Sequence, residues 1–468
     1  MWKILINLTN KEEEYLMKGK MKVFIFLVIF AVVIAGCSSN KKSDNDANGD
    51  NAAGNVPTEI TYTHEFDLEG EIDFWSWDEM FEDVIVEFNK LYPNIKVNLT
   101  VLPMGELHDN LATTIAAGRG APDAVHVEQG QFPRYQAEGL LVDFLQPEYN
   151  LQRYKDLQSE YNWERWKSVD GKRLLGFPWD VTAGVFYYRE DIYEQMGLPT
   201  DPEELGEYLQ DPENVLDAAR TLAANDIYMY EFRDSPAIQY GDAVGYFDSE
   251  LNYTRNDERM IELLDFVKEG VQIGWAPQMS LVFSDEGKQL VKQGKAASFP
   301  AGTNGSRHLE EAFPDLKGKW RVTKVPAGVN FGLGGSTFSI PEQSDSKDAA
   351  FAFLEFLNFS EEAWKIYVDK AVQPAWKHIT QLPWYLEHTN EYLGGQKDFA
   401  FYETIVDNIP VRRVTPLDGP AWPLYIDKIN ESIDKNIDSR TTLQQIEDNT
   451  LKQLGPDIEK LKEEYGME

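Results

Sequence analysis

The chain of 468 residues has one cysteine, six histidines and far fewer bases than acids, 44 Lys and Arg against 79 Asp and Glu. A lone Cys37 rules out an intramolecular disulfide, so the fold is expected to rest on its core. The histidines form no HExxH pattern and no closely spaced ligand set, and neither a metal nor a cofactor is expected. The formal net charge of −35 excludes nucleic acid as a partner, because phosphates need a positive surface. It also excludes side-chain attraction to an anionic membrane. We read the acidic excess as solubility. The Gly-rich segments Phe299–Gly305 and Phe331–Gly335 are not followed by Gly-Lys-Ser/Thr, and they read as loops or hinges rather than phosphate cradles. Gly334-Gly335-Ser336-Thr337-Phe338 does not match the GxSxG nucleophile turn. What the chain does have is apolar and aromatic mass. At 42% hydrophobic and 13% aromatic, with 12 tryptophans, it can bury the cores of two to three domains or lobes.

Near the start, Lys18, Lys20 and Lys22 precede an apolar run from Val23 to Ala35, which is followed by Gly36 and Cys37. As a helix this run rises about 20 Å, short of the roughly 30 Å needed to cross a bilayer. Charge, apolar core and small residues make a secretory signal, and Ile34-Ala35-Gly36-Cys37 resembles the bacterial lipoprotein lipobox. The resemblance implies a signal peptide over 1–36 and a lipid on Cys37, so that any membrane association comes through the lipid alone. The leader is long, and Met17 or Met21 would each give a conventional one. Residues 37–59 are almost free of large apolar side chains and read as the lipidated Cys and a flexible tether. Asp44, Asp46, Asn48 and Gly49 match the first half of a calcium loop, but Asn55 stands where the bidentate Glu belongs, and the linker reading prevails.

Beyond the tether, Gly70–Trp75 reads as a strand. A helix follows with Met80, Phe81, Val84, Ile85 and Phe88 at helical spacing, then a break at Tyr92-Pro93-Asn94 and a strand over 95–101. Leu107–Ala117 is helical and Asp123–Val127 a strand. The alternation predicts an α/β fold with a largely parallel sheet. Ligands of such sheets sit beyond the carboxyl ends of the strands, which points to Trp75-Ser76-Trp77-Asp78 and to Glu128. Val185–Tyr188 is a further strand, and helical patterns run over Arg259–Gly270 and Ala349–Leu357.

Several of these segments, in order, resemble one family, the extracellular solute-binding proteins of sugar-type ABC transporters, which includes maltose-binding protein. The carriers are Trp75-Ser76-Trp77, Phe88 to Val97 (FNKLYPNIKV), Ala117 to Val127 (AGRGAPDAVHV) and Gly139-Leu140-Leu141-Val142-Asp143. With them come Asp170-Gly171-Lys172, Phe177-Pro178, Tyr187-Tyr188-Arg189-Glu190-Asp191, Gly294-Lys295-Ala296-Ala297 and Ala349 to Leu357 (AAFAFLEFL). The resemblance implies two α/β lobes that hinge over an interlobe cleft, one holding 70–180 plus 336–378 and the other 181–335 plus 379–468. It places chain crossings near Asp180–Gly184, Phe331–Ser336 and Gln373–His378. It further implies a monomer that captures an extracellular carbohydrate, an oligosaccharide for preference, at the outer face of the cell membrane and hands it to permease subunits.

A sugar presents C–H groups on its faces and hydroxyls at its edge, so its site needs aromatic faces beside Asp, Glu, Asn or Arg. The candidates are Trp77 and Asp78 at the first strand end, Glu128, Trp179 and Asp180 at the first crossing, Trp376 beside the third, and Trp422. Of Trp75 and Trp77, one is expected in the core and Trp77 in the cleft. Trp422, in Asp418-Gly419-Pro420-Ala421-Trp422, is similar in placement to a sugar-stacking Trp of the family. Asn304 stands where many relatives have a Trp. Arg307, Arg412 and Arg413 are open both as uronate contacts and as surface charges. An extracellular glycoside hydrolase built on paired carboxylates, a binding protein for another solute, and an adhesin or scaffold are the competing readings. Acidic pairs are inevitable among 79 carboxylates, so they do not by themselves favour catalysis, and no enzyme is expected.

Overall fold

A computed structural model describes residues 60–467. The signal peptide, Cys37, the tether and the calcium-like sequence lie outside the described residues.

The first sheet grows from β1 (Gly70–Ser76), whose Ile72, Phe74 and Ser76 point inward while Glu71 and Asp73 face solvent. This is the two-residue period of a strand with one face buried. The helix Phe81–Leu91 follows, burying Phe81, Val84 and Phe88 along one face. The chain then returns in β2 (Ile95–Val101), parallel to β1 from Gly70↔Ile95 to Ser76↔Val101. After the helix Met104–Ala117, β3 (Ala124–Glu128) joins the other edge of β1, again parallel. Two later strands complete the sheet. They are β4 (Phe177–Pro178) and, from far along the chain, β8 (Ser336–Ser339), giving the order β2-β1-β3-β8-β4.

A second sheet has β5 (Gly184–Arg189) between β6 (Ser298–Gly302) and β7 (Trp320–Thr323). Both sides of β5 are covered: Phe186 and Tyr188 enter one hydrophobic cluster, Val185 and Tyr187 another. That is why the strand reads as a continuous apolar and aromatic run rather than an alternating one. Among the strands of the described residues, the β1–β2 and β1–β3 pairs alone are parallel. The β3–β8, β4–β8, β5–β6 and β5–β7 pairs are antiparallel, so the expectation of a largely parallel sheet is corrected. The cause at the centre of the first sheet is β8, which enters it after a passage through the second and meets β3 from the opposite direction.

The first sheet has its own core, with Phe74, Phe88, Phe338, Phe351, Phe353 and Trp364 among its members. Its densest contributor is the helix Lys347–Phe359, in which every residue from Ala349 to Phe359 is buried. Two sheets with separate cores make a two-lobed α/β architecture. Between them three stretches of chain lie side by side. Residues 179–183 run in the middle, bonded on one side through Val181 N to Gln373 O (3.1 Å) and Ala375 N to Trp179 O (3.1 Å). On the other side Gly184 N donates to Phe331 O and Leu333 N to Thr182 O, both at 2.8 Å. Close approach explains a glycine here: a Cβ on Gly332 would lie 2.0 Å from the Tyr161 hydroxyl. Gly335 has a φ of +105°, a left-handed conformation that other residues rarely adopt.

Candidate ligand cleft and hinge

The strand ends of the first sheet converge on the three crossing segments. At the end of β1, the Asp78 carboxylate accepts from Met80 N (2.9 Å), while Asp78 N donates to the Ser76 hydroxyl (3.1 Å). This local turn presents Trp77 half-exposed. Its ring lies flat on the His126 imidazole, centroids 3.6 Å apart and planes 12° from parallel. His126 comes from the middle of β3 and is 1% exposed. Its burial, reinforced by His108, holds it well below the ordinary histidine range, so it is neutral.

Glu128 closes β3. Its carboxylate accepts from Gly130 N at 2.8 Å, and burial pushes its pKa up against that hydrogen bond. Asp180 stands in the first crossing, where its Oδ1 accepts from both the backbone N and the hydroxyl of Ser336. Burial raises its pKa as well, opposed by the nearby Arg165 guanidinium. Arg165 follows the short helix Glu160–Glu164 and is fully buried. It donates to the Gln129 side chain (2.9 Å), to Gly334 O (2.8 Å) and to Asp180 O (2.6 Å), binding the first two crossings together.

On the side of the second sheet, Asn304 is exposed at the start of the helix Gly305–Ala312. Its Oδ1, a Thr182 methyl and a Leu333 methyl surround one point, the place a Cβ on Gly302 would occupy. Asn304 therefore sits against two crossings. Trp422 is 38% exposed at the start of the second turn of the helix Asp418–Lys435. The Asp418 carboxylate one turn earlier accepts from the Thr415 hydroxyl at 2.6 Å.

Two tryptophans are not where the sequence put them. Trp179 is 2% exposed and packs against Phe81, His126, Phe338 and Tyr367, with centroids 5.0–5.7 Å apart. Its chain continues the course of β4, so its indole is fixed in the first core rather than in a free loop. Trp376 is 0% exposed, and its indole N–H donates to the Asn358 side chain at 3.0 Å. It packs on Phe177 and Phe359 as a core residue. Nor does the pair Trp75 and Trp77 divide into one buried and one open ring, since both are half-buried. Sequence reasoning missed Arg165, Ser336 and His126. For His126 there was a signal, an imidazole inside the otherwise apolar strand Ala-Val-His-Val-Glu.

The arginines left open are all beside carboxylates: Arg413 with Glu164 at 2.9 Å, Arg412 with Asp418 at 3.8 Å, Arg307 with Glu311 at 3.6 Å. A pocket of about 430 Å³ opens beside Arg412 and Arg413, lined also by Phe247, Asp248, Thr254 and Val411. Among the described residues, no group of three or more His, Cys, Asp or Glu is arranged to hold a metal. No helix among them is long and apolar enough to cross a membrane. Both His126 nitrogens are engaged by serine hydroxyls, Ser76 at 3.1 Å and Ser336 at 2.7 Å, which leaves neither free to take a substrate proton. The assembly offers aromatic faces and hydrogen-bonding edges around a pinned hinge, an arrangement suited to binding.

Residues 71–364 match the model of the bacterial extracellular solute-binding proteins. The chain belongs to this family. A similar relative is the arabinooligosaccharide-binding protein of Bacillus subtilis (strain 168), 26% identical over 364 residues, which span 73% of this chain and 76% of that one. The protein of the same description from Halalkalibacterium halodurans is 25% identical, over 64% of this chain and 69% of its own length. Among solved structures, the sugar-binding protein MalE from Xanthomonas citri superposes with a TM-score of 0.68 at 19% identity, covering 85% of this chain and 100% of that one. The binding protein from B. animalis subsp. lactis Bl-04, in complex with β-1,6-galactobiose, gives 0.63 at 20% identity, covering 83% and 98%. Identities this low speak for the fold. The crossing segments of this solute-binding protein pair antiparallel, at Asp180↔Pro374 and Ala183↔Gly332.

Proposed function

We propose that this solute-binding protein captures a neutral oligosaccharide, arabino-oligosaccharide for preference, closes over it and presents the closed form to the permease of an ABC importer. The observation that carries the reading is the flat, half-exposed Trp77 face at the strand ends of the first sheet, directly beside the Arg165-pinned crossings. Trp422 and Asn304 are assigned to the facing wall, and Asp78, Glu128 and Asp180 to the hydroxyl groups. The relatives described as arabinooligosaccharide-binding proteins direct the choice of sugar. Neutrality follows from the carboxylates that already face Arg307, Arg412 and Arg413. Closure is needed because a permease must distinguish loaded from empty receptor, so the ligand must bind the closed state better than the open one.

In the same reading the lobes comprise 70–180 plus 336–378 and 181–335 plus 379–468, and the protein works as a monomer without catalysing a reaction. A lipid on Cys37 holds it at the outer face of the membrane. The test is a screen of purified protein against arabino-, gluco- and galacto-oligosaccharides by thermal shift, with thin-layer chromatography of each mixture. Stabilisation by one class without cleavage supports the proposal. Release of shorter sugars would replace it with the hydrolase reading.

A further inference from the structure

The groups around Trp77 form one continuous hydrogen-bonded chain that ends in the hinge. Asp78 N donates to the Ser76 hydroxyl (3.1 Å), Ser76 lies 3.1 Å from His126 Nδ1, His126 Nε2 lies 2.7 Å from the Ser336 hydroxyl, and that hydroxyl donates to Asp180 Oδ1 (3.2 Å). The direction of every proton follows from the ends. Asp180 Oδ1 already accepts from Ser336 N, so it is the acceptor of the Ser336 proton as well, and Ser336 must then accept from His126 Nε2–H. A neutral imidazole carries one proton, which leaves Nδ1 as acceptor for the Ser76 hydroxyl. Ser76 is free to accept Asp78 N–H.

Held at both nitrogens, the imidazole cannot rotate in or out of its plane. Phe81, Trp179 and Phe338 pack around it with centroids 5.0–5.4 Å away. Its remaining face carries Trp77. At the far end, Ser336 opens β8 and Asp180 lies in the first crossing, its carbonyl bound by Arg165.

We propose that His126 is a positioning residue that sets the Trp77 ring as a binding face and couples it to the hinge through the relay Ser76–His126–Ser336–Asp180. The proposal rests on the carbohydrate reading above. Rotation of the crossing that shifts Asp180 pulls on Ser336, and through the ring on the face that holds the sugar. Conversely, a sugar pressed on Trp77 favours the hinge geometry in which the relay is intact.

The test uses S336A, which cuts the relay and spares the stack, H126F, which keeps an aromatic support without hydrogen bonds, and S336T, which keeps the hydroxyl. Trp77 emission is isolated by subtracting the spectrum of the matching W77F variant, without ligand. Affinity for arabino-oligosaccharide is measured in parallel. S336A and H126F are expected to shift Trp77 emission and weaken binding about tenfold, the loss of roughly one coupled hydrogen bond, with S336T restoring both. Wild-type emission and affinity in S336A would overturn the relay. Should a variant not fold, the ¹⁵N imidazole spectrum of the wild-type protein decides: the Nε2–H tautomer supports the relay, and an Nδ1–H tautomer or an imidazolium overturns it. A wild-type protein that binds no oligosaccharide sinks the carbohydrate reading, while the emission and tautomer results still decide the relay.

Discussion

Arg165 donates its Nη2 to the backbone carbonyl of Asp180 at 2.6 Å, while its Nη1 reaches Gly334 O at 2.8 Å, so one buried guanidinium spans two crossings of the hinge. The planar fork is what makes this possible: two nitrogens at fixed separation meet two carbonyls on neighbouring crossing segments. Lysine has no such geometry.

Replacing Arg165 with Ala is therefore expected to lower unfolding free energy by about 2–4 kcal/mol, since it leaves buried acceptors without donors. R165K should recover only part of the loss. Urea denaturation measures both, and a wild-type midpoint for R165A would show that the hinge does not depend on this side chain.

Trp422 and the two buried tryptophans should behave in opposite ways. W422A is expected to weaken oligosaccharide binding by about 1–3 kcal/mol through lost stacking, with stability near wild type. W179A and W376A should destabilise the fold by about 3–5 kcal/mol, and W376A, whose ring packs on Phe177 and Phe359, should leave the affinity of the folded fraction unchanged. Calorimetry paired with denaturation separates the two classes.

Glu403 lies near Gln373, Thr380, Lys377 and Asp407, and burial raises its pKa from an ordinary 4.5 to about 7. Between those values the folded protein holds a proton that the unfolded chain has released, so stability falls as pH rises through this window. The displacement corresponds to roughly 3 kcal/mol. E403Q should flatten the profile of melting temperature between pH 5 and 7 (about the span of the shift). An unaltered slope would mean that Glu403 does not carry it.

The lipid reading of Cys37 has a separate consequence. C37S should move the protein from the membrane fraction to the medium while leaving sugar affinity intact, because the lipid reading gives Cys37 no part in the cleft. Reduced affinity in the released protein would tie the residue to the fold instead.

The strands were legible because their burial is periodic or continuous: β1 alternates, and β5 is apolar on both faces. The Gly-rich segment Phe331–Gly335 was legible as a loop or hinge because its glycines answer backbone demands, Gly332 against Tyr161 and Gly335 at positive φ. The directions of single side chains were not. Trp179 and Trp376 sit in Pro-containing sequence, which suggested open loops, yet each continues a segment whose partners come from 150 or more residues away or from a separate helix. Arg165 stands next to Glu164 in the sequence. Its buried role depends on carbonyls contributed by Asp180 and Gly334, and no local pattern announces them. The antiparallel entry of β8 is likewise a property of the crossing, invisible in the strand itself.

The central claim is that the cleft takes a neutral oligosaccharide. Isothermal titration of the purified protein with arabino-oligosaccharides tests it most directly. The account predicts a saturable, single-site heat with micromolar or tighter affinity, on the order of −8 kcal/mol or below, which W77A and W422A both weaken. Absence of heat with every neutral oligosaccharide, or binding indifferent to both tryptophans, would contradict it.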